Sequence, residues 1–239
     1  MIVAVLLPSK GRAEKLAQVL VDLTHQLQAA DLKILVVVAA LVDEAETIAA
    51  AKRAKRKHDS NEAKIDIILR SPGTTSVEGW NQAYRHAYQL GADWFVLGAD
   101  DVNFYAGCIA AAVEEAQKTG CLVIGLNDMH TDLNKYGPHY MASRKFTRDH
   151  LGGVMAPPMY KAWWFDREVC EIAQEVSTYA PAYRAIAKHD HHTFSGEPAP
   201  DETYREAEQD RERDKVVYLE RKAAGWPIDY EPVIGERNG

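Results

Sequence analysis

Ile2-Val3-Ala4-Val5-Leu6-Leu7-Pro8-Ser9-Lys10-Gly11-Arg12 is a continuous apolar run, stopped by proline and followed by a short turn carrying two basic side chains. Such a run, bounded by a turn signal, predicts a buried strand. Leu16, Leu20, Leu23 and Leu27 then fall at helical spacing and predict a helix over about 13–29. The same unit recurs along the chain. Strands predicted at 32–38, 65–69, 94–97 and 121–126 alternate with helices over about 43–58, from Ser76 onward, and over 105–118. On the helix from Ser76, Val77, Trp80, Tyr84 and Ala87 share one face. This alternation predicts an α/β fold, a mostly parallel sheet with helices on both faces. Ligands of such sheets bind beyond the carboxyl ends of the strands. The segments to read for chemistry are therefore 8–12, 39–43, 70–75 and 98–103.

From about Asn127 the alternation stops. The segment 127–165 is rich in glycine, proline, methionine and aromatics and reads as irregular loops. A helix over 166–176 and a short strand over 183–188 follow, the strand running into His189-Asp190-His191-His192. A highly charged helix is expected over 201–224, ended by Gly225 and Pro227. The expected organisation is a half over 1–126 and a less regular half over 127–239, both within a single domain.

The 239 residues carry a formal net charge of −7, from 35 acidic and 28 basic side chains, which argues against a dedicated nucleic-acid binder. Three cysteines, Cys108, Cys121 and Cys170, make no disulfide scaffold and fit a reducing compartment. No apolar stretch reaches the roughly 18–20 residues of a membrane helix, and a secretory leader is not evident. The expectation is a soluble cytoplasmic protein. The basic run Lys52-Arg53-Ala54-Lys55-Arg56-Lys57 reads as the solvated face of a charged helix. Ser143 to Arg148, beside Gly152-Gly153, is an alternative anion or acceptor contact with a hinge.

Val96-Leu97-Gly98-Ala99-Asp100-Asp101-Val102-Asn103 sends two adjacent carboxylates out of the end of a buried strand. Paired like charges need a cation or hydrogen bonds, and carboxylate-ended sites suit Mg2+ or Mn2+ when phosphates complete the shell. In the first turn Gly11 permits close backbone approach, and Lys10 and Arg12 supply positive charge. Neither a P-loop nor Gly-x-Gly-x-x-Gly is present.

The Pro-x-x-x-Arg loop, the Asn81-Gln82-Ala83 helix start and the Asp100-Asp101 pair, in this order, resemble the GT-A fold glycosyltransferases, family 2 in particular. The resemblance covers the first half well and the second loosely. It implies transfer of a sugar from a nucleoside-diphosphate sugar, with a UDP-sugar first, to an acceptor hydroxyl, inverting and metal-dependent. It implies that Pro8, Ser9, Lys10 and Arg12 line the nucleotide site, with Asp43 a ribose or base contact and Asn81 shaping the site. Asp100 would hold Mn2+ or Mg2+, Asp101 would orient sugar or metal, and a late histidine, His191, would join the shell. The aromatic run into Asp166 resembles the acceptor-site motif, with Asp166 as general base and Glu168 as second choice. Helix capping by Asp166 is the structural alternative. The departure is Gly98, where the family pattern has its first aspartate. The acceptor could be a small molecule, a glycan, a protein or a modified nucleic acid. Two rivals remain at this stage: a sugar-phosphate nucleotidyltransferase, whose Gly-rich first loop is not matched, and a non-catalytic nucleotide-sugar-binding module.

Overall fold

A computed structural model describes residues 1–24, 26, 32–190 and 202–231. Its strands are β1 (Ile2–Ser9), β2 (Lys33–Leu41), β3 (Ala63–Arg70), β4 (Trp94–Leu97), β5 (Val102–Phe104), β6 (Val123–Asn127), β7 (Tyr140–Ser143) and β8 (Tyr179–His189). They form one sheet in the order β3-β2-β1-β4-β7-β6-β8-β5. β7 runs antiparallel to both β4 and β6, and β5 is antiparallel to β8; the other pairings are parallel. The sheet is therefore mostly parallel, and it interleaves strands from before and after residue 127.

The apolar runs become central strands because they are covered on both faces. One core packs β1, β2 and β4 under α1 (Ala13–Thr24), α2 (Ala45–His58) and α4 (Cys108–Thr119), through Leu16, Leu20, Leu23, Ala51 and Ile109. The opposite core uses α3 (Ser76–Gln89) and α6 (Phe165–Glu175), through Val77, Trp80, Tyr84, Ala87 and Val169. Val3 to Leu7 are fully buried, and each of the valines and leucines among them contributes about 1.5–3 kcal/mol relative to exposure.

α1 is described to Thr24, and Gln26 lies outside the helix; residues 25 and 27–29 of the expected helix, Leu27 among them, lie outside the described residues. Gln26 then turns inward, its amide donating to the Phe104 and Tyr105 carbonyls. α3 opens with a capping box in which the Thr75 side chain accepts from the Glu78 amide and Glu78 reaches back to the Thr75 amide.

The stretch 127–165 is more ordered than its composition suggests. It contains β7, buried at all four positions, and α5 (Arg144–His150). Ser143 caps α5, and the Arg144 guanidinium stacks 3.7 Å over Tyr88 while donating to the Tyr88 and Ala92 carbonyls. Lys145 and Arg148 both pair with Asp149. Residues 143–150 thus clasp the core, and none of their side chains lines the main cleft. The basic run on α2 is a solvated face as expected, with Lys55 paired to Asp59 and Asp66. The last helix, α7 (Glu202–Ala223), is not merely exposed: Tyr204, Asp214, Tyr218 and Arg221 are buried. Among the described residues no helix is long and apolar enough to cross a membrane.

Candidate active site

A cleft of about 700 Å³ opens where β1 and β4 end. Pro8, Lys10 and Arg12 line it from the first turn, Asp100 and Asp101 from the exit of β4, and His139 from just before β7. Asp166, with Trp163 and Trp164, lines it from the start of α6; His189 closes it from the end of β8, and Tyr204 from α7. Of the strand-exit segments, 8–12, 70–75 and 98–103 contribute lining residues to this cleft, and 39–43 contributes none.

Asp100 and Asp101 are 5% and 8% exposed and densely partnered. The Ser9 hydroxyl donates to Asp100 at 2.7 Å. The Arg12 guanidinium reaches Asp100 at 3.0 Å and Asp101 at 3.3 Å. The Tyr204 hydroxyl donates to Asp101, and His189 Nε2 lies 3.6 Å from it. Burial, and then the charge of Asp101, push Asp100 up to about 6 against the pull of Arg12 and Ser9. Burial acts the same way on Asp101, but His189, Arg12 and Tyr204 outweigh it and hold that carboxyl well below the usual range. Burial disfavours a charged His189, yet Asp101 outweighs burial and raises it. His139 is the opposite case: burial and the neighbouring His189 hold it down at about 4. Its Nδ1 donates to the Leu97 carbonyl at 3.1 Å, its ring stands edge-on to His189, and its buried Nε2 has no hydrogen-bond partner among the described residues.

The glycine at position 98 has a packing cause. A Cβ there would sit 2.7 Å from Leu7 Cδ2 and 3.2 Å from the Leu6 carbonyl oxygen, so a side chain requires the buried Leu7 and the strand to shift. The Gly98 carbonyl accepts the Trp80 indole N–H at 2.7 Å. A Gly98→Asp variant should therefore lose about 1–3 kcal/mol of stability through overpacking, with no gain in Mn2+ affinity. Urea unfolding and ion titration of the variant check both parts.

Arg70 is a site residue the sequence did not reveal by pattern. Buried at 4% exposure, it donates to the Ala39, Thr75 and Ser9 carbonyls, fastening the exits of β1 and β2 to the start of α3. Its only signal was its place at a strand end. Gly79 lets it approach, since a Cβ there would lie 3.2 Å from Arg70 Nη1 and 2.8 Å from Pro8 Cβ.

The remaining expected residues divide. Asp166 faces the cleft, one residue inside α6, while the helix N-cap is Trp164 in a left-handed conformation (φ 70°) with no side-chain cap bond. Burial raises Asp166 to about 6, against backbone amides of residues 166 and 167. Glu168 is not brought to the cleft. It is fully buried in an ion pair with Arg221 at 2.8 Å and accepts the Tyr160 hydroxyl at 2.6 Å. Asn81 is likewise absent from the lining. Its amide donates to the Ala156 carbonyl at 2.7 Å and accepts from the Met155 and Ala156 amides. Asp43 is exposed on the surface; its neighbour Glu44 accepts from the Gly11 amide at 2.7 Å. His191 lies outside the described residues, and His189 is the member of the histidine cluster seen at the carboxylates.

No protein-family model and no curated protein matches the sequence. Solved structures do match. A mannosyltransferase from Pyrobaculum calidifontis, in complex with GDP-Man and Mn2+, aligns with TM-score 0.62 at 16% identity, over 81% of this chain and 59% of its own. S. aureus TarS 1-349 in complex with UDP aligns with TM-score 0.60 at 13% identity, over 78% and 59%. Glucosyl-3-phosphoglycerate synthase from Mycobacterium tuberculosis, in complex with Mn2+, UDP and glucosyl-3-phosphoglycerate, aligns with TM-score 0.56 at 13% identity, over 95% and 81%. The fold is thus that of the GT-A nucleotide-sugar glycosyltransferases. The chain spans 59% of the first two of these proteins.

Proposed function

We propose that this chain is a glycosyltransferase that moves a sugar from a nucleoside-diphosphate sugar, a UDP-sugar first, to an acceptor hydroxyl with inversion. The observation that carries the reading is the buried Asp100–Asp101 pair at the end of β4, facing Arg12 and sharing one cleft with Asp166. Residues 1–126 then form the donor half and 127–239 the acceptor half.

The two carboxylates, Asp100 and Asp101, are oxygen donors suited to Mn2+ or Mg2+, with His189 3.6 Å from Asp101. Among the described residues no three such side chains are placed to enclose an ion alone, so diphosphate oxygens would complete the shell. A bound ion would neutralise charge on the leaving diphosphate. On the chain itself, Lys10 and Arg12 face that charge at the start of α1, whose first amides also favour an anion. Asp166, ionised above about pH 6, accepts the proton of the acceptor hydroxyl. The acceptor oxygen then bonds to the anomeric carbon as the bond from that carbon to the diphosphate oxygen breaks.

Calorimetric titration with nucleoside diphosphates, with and without Mn2+, tests the donor site. Wild-type protein should bind one of them more tightly with Mn2+, and Asp100→Ala should lose that ion-dependent gain. Equal ion-dependent binding by the variant would remove Asp100 from the site.

A further inference from the structure

α7 divides its 22 residues between two environments. Its C-terminal half is anchored in the fold. The buried Asp214 carboxylate accepts the amides of Lys161, Ala162 and Trp163 at 3.0–3.3 Å, and Tyr218 and Arg221 are 3% and 7% exposed. Its first turns instead lie on the cleft, where Tyr204 is 5% exposed between half-buried Thr203 and exposed Arg205. The Tyr204 ring lies 4.0 Å from the Arg12 guanidinium, and its hydroxyl is given to Asp101. Thr203 donates to the Lys10 carbonyl at 3.2 Å, and Glu206 pairs with the Lys10 ammonium. These turns therefore rest on Lys10, Arg12 and Asp101, the residues assigned to donor and ion.

A carboxylate lone pair that accepts a phenol proton cannot also bind a divalent cation, which needs oxygen ligands directed at it. Further along the helix the Trp163 indole donates to the Ala207 carbonyl at 2.8 Å and Lys161 pairs with Asp210, while the exposed Lys10–Glu206 pair contributes little to holding the first turn. The anchored half gives these turns a fixed end to move against.

We infer that Tyr204 is a displaceable occupant of the ion site: its hydroxyl holds Asp101 until a divalent cation competes for that carboxylate. The first turns of α7 then leave Lys10, Arg12 and Asp101 while Asp214, Tyr218 and Arg221 stay in place. The inference rests on the reading of Asp100–Asp101 as the ion site of a nucleotide-sugar transferase.

Mn2+ alone is the probe, titrated into the full chain and followed by the paramagnetic resonance signal of the free ion. Tyr204→Phe keeps the ring against Arg12 and removes only the hydroxyl. It should bind Mn2+ about tenfold more tightly than wild type, the loss of one competing hydrogen bond to a charged group. Glu206→Ala, which loosens the same turns away from the carboxylates, should shift affinity the same way by about two- to threefold. Amide exchange of wild type should quicken over residues 205–210 on Mn2+ addition and stay slow over 214–221. Unchanged or weaker Mn2+ binding by Tyr204→Phe overturns the inference, as does unaltered exchange over 205–210. Turnover of nucleotide-sugars separates this from the broader reading. Tighter Mn2+ binding by the variant with no turnover in wild type keeps the inference and removes the transferase; turnover with unaltered Mn2+ affinity does the reverse.

Discussion

Asp166→Asn should lower kcat for sugar transfer by about 10²–10⁴-fold, the usual contribution of a positioned general base, while nucleoside-diphosphate affinity stays within about twofold. Asparagine keeps the shape of the side chain at the start of α6 and removes only its capacity to take a proton. Burial places Asp166 at about 6, so it is mainly ionised at neutral pH and becomes protonated as pH falls through 6. Wild-type kcat at saturating donor should therefore decline below pH 6, and the asparagine variant should lose that limb. Asp100 is also raised to about 6, but it sits at the donor end. An acid limb should accordingly persist in donor binding for both proteins. Steady-state kinetics across pH 5–8 would separate the two limbs; a variant within threefold of wild-type kcat would exclude Asp166 as the base.

The second large effect falls on stability. Arg221→Ala leaves Glu168 as an uncompensated charge at 0% exposure, with the Tyr160 hydroxyl as its remaining described side-chain partner. Breaking such a buried pair costs about 3–5 kcal/mol, and for a chain of this size that lowers Tm by on the order of 10 °C. Arg221 also donates to the Pro227 carbonyl and pairs with Asp229, so the segment after α7 should loosen as well. Donor binding should survive at temperatures where the variant is folded, because neither residue lines the cleft. Differential scanning calorimetry with a parallel nucleoside-diphosphate titration distinguishes this from chemistry. Loss of turnover without loss of Tm would return Glu168 to the list of reacting groups.

The parts of the fold legible in the sequence were those with one dominant signal. Val3 to Leu7 and the leucines of α1 could be read because strands buried on both faces and amphipathic helices leave clean periods. β7 could not be, because four residues, Tyr140 to Ser143, are too short to show a period. The second half of the site was hidden for a related reason. The charged pattern of α7 reads as a solvated helix, and nothing in its spacing distinguishes Tyr204 or Asp214 from exposed neighbours; their roles come from residues about 100 and 50 positions earlier. Asp100 and Asp101 were legible because paired carboxylates at a strand exit demand a partner. Glu168 and Asn81 looked alike in the sequence to residues that face a ligand, and only three-dimensional pairing turned them inward. At Gly98, where the resemblance has an aspartate, the contact with Leu7 supplies a packing reason that the sequence alone does not show.

In the proposed function the cleft takes a nucleoside-diphosphate sugar and breaks its bond to the anomeric carbon. The direct measurement is release of nucleoside diphosphate from a panel of UDP- and GDP-sugars, with and without Mn2+, using Asp100→Ala as the control. Release from at least one donor is expected, stimulated by Mn2+ and abolished in the variant, with no pyrophosphate formed from nucleoside triphosphate and sugar phosphate. Binding of the donors with no release under any acceptor, or pyrophosphate formation in place of nucleoside diphosphate, would contradict it.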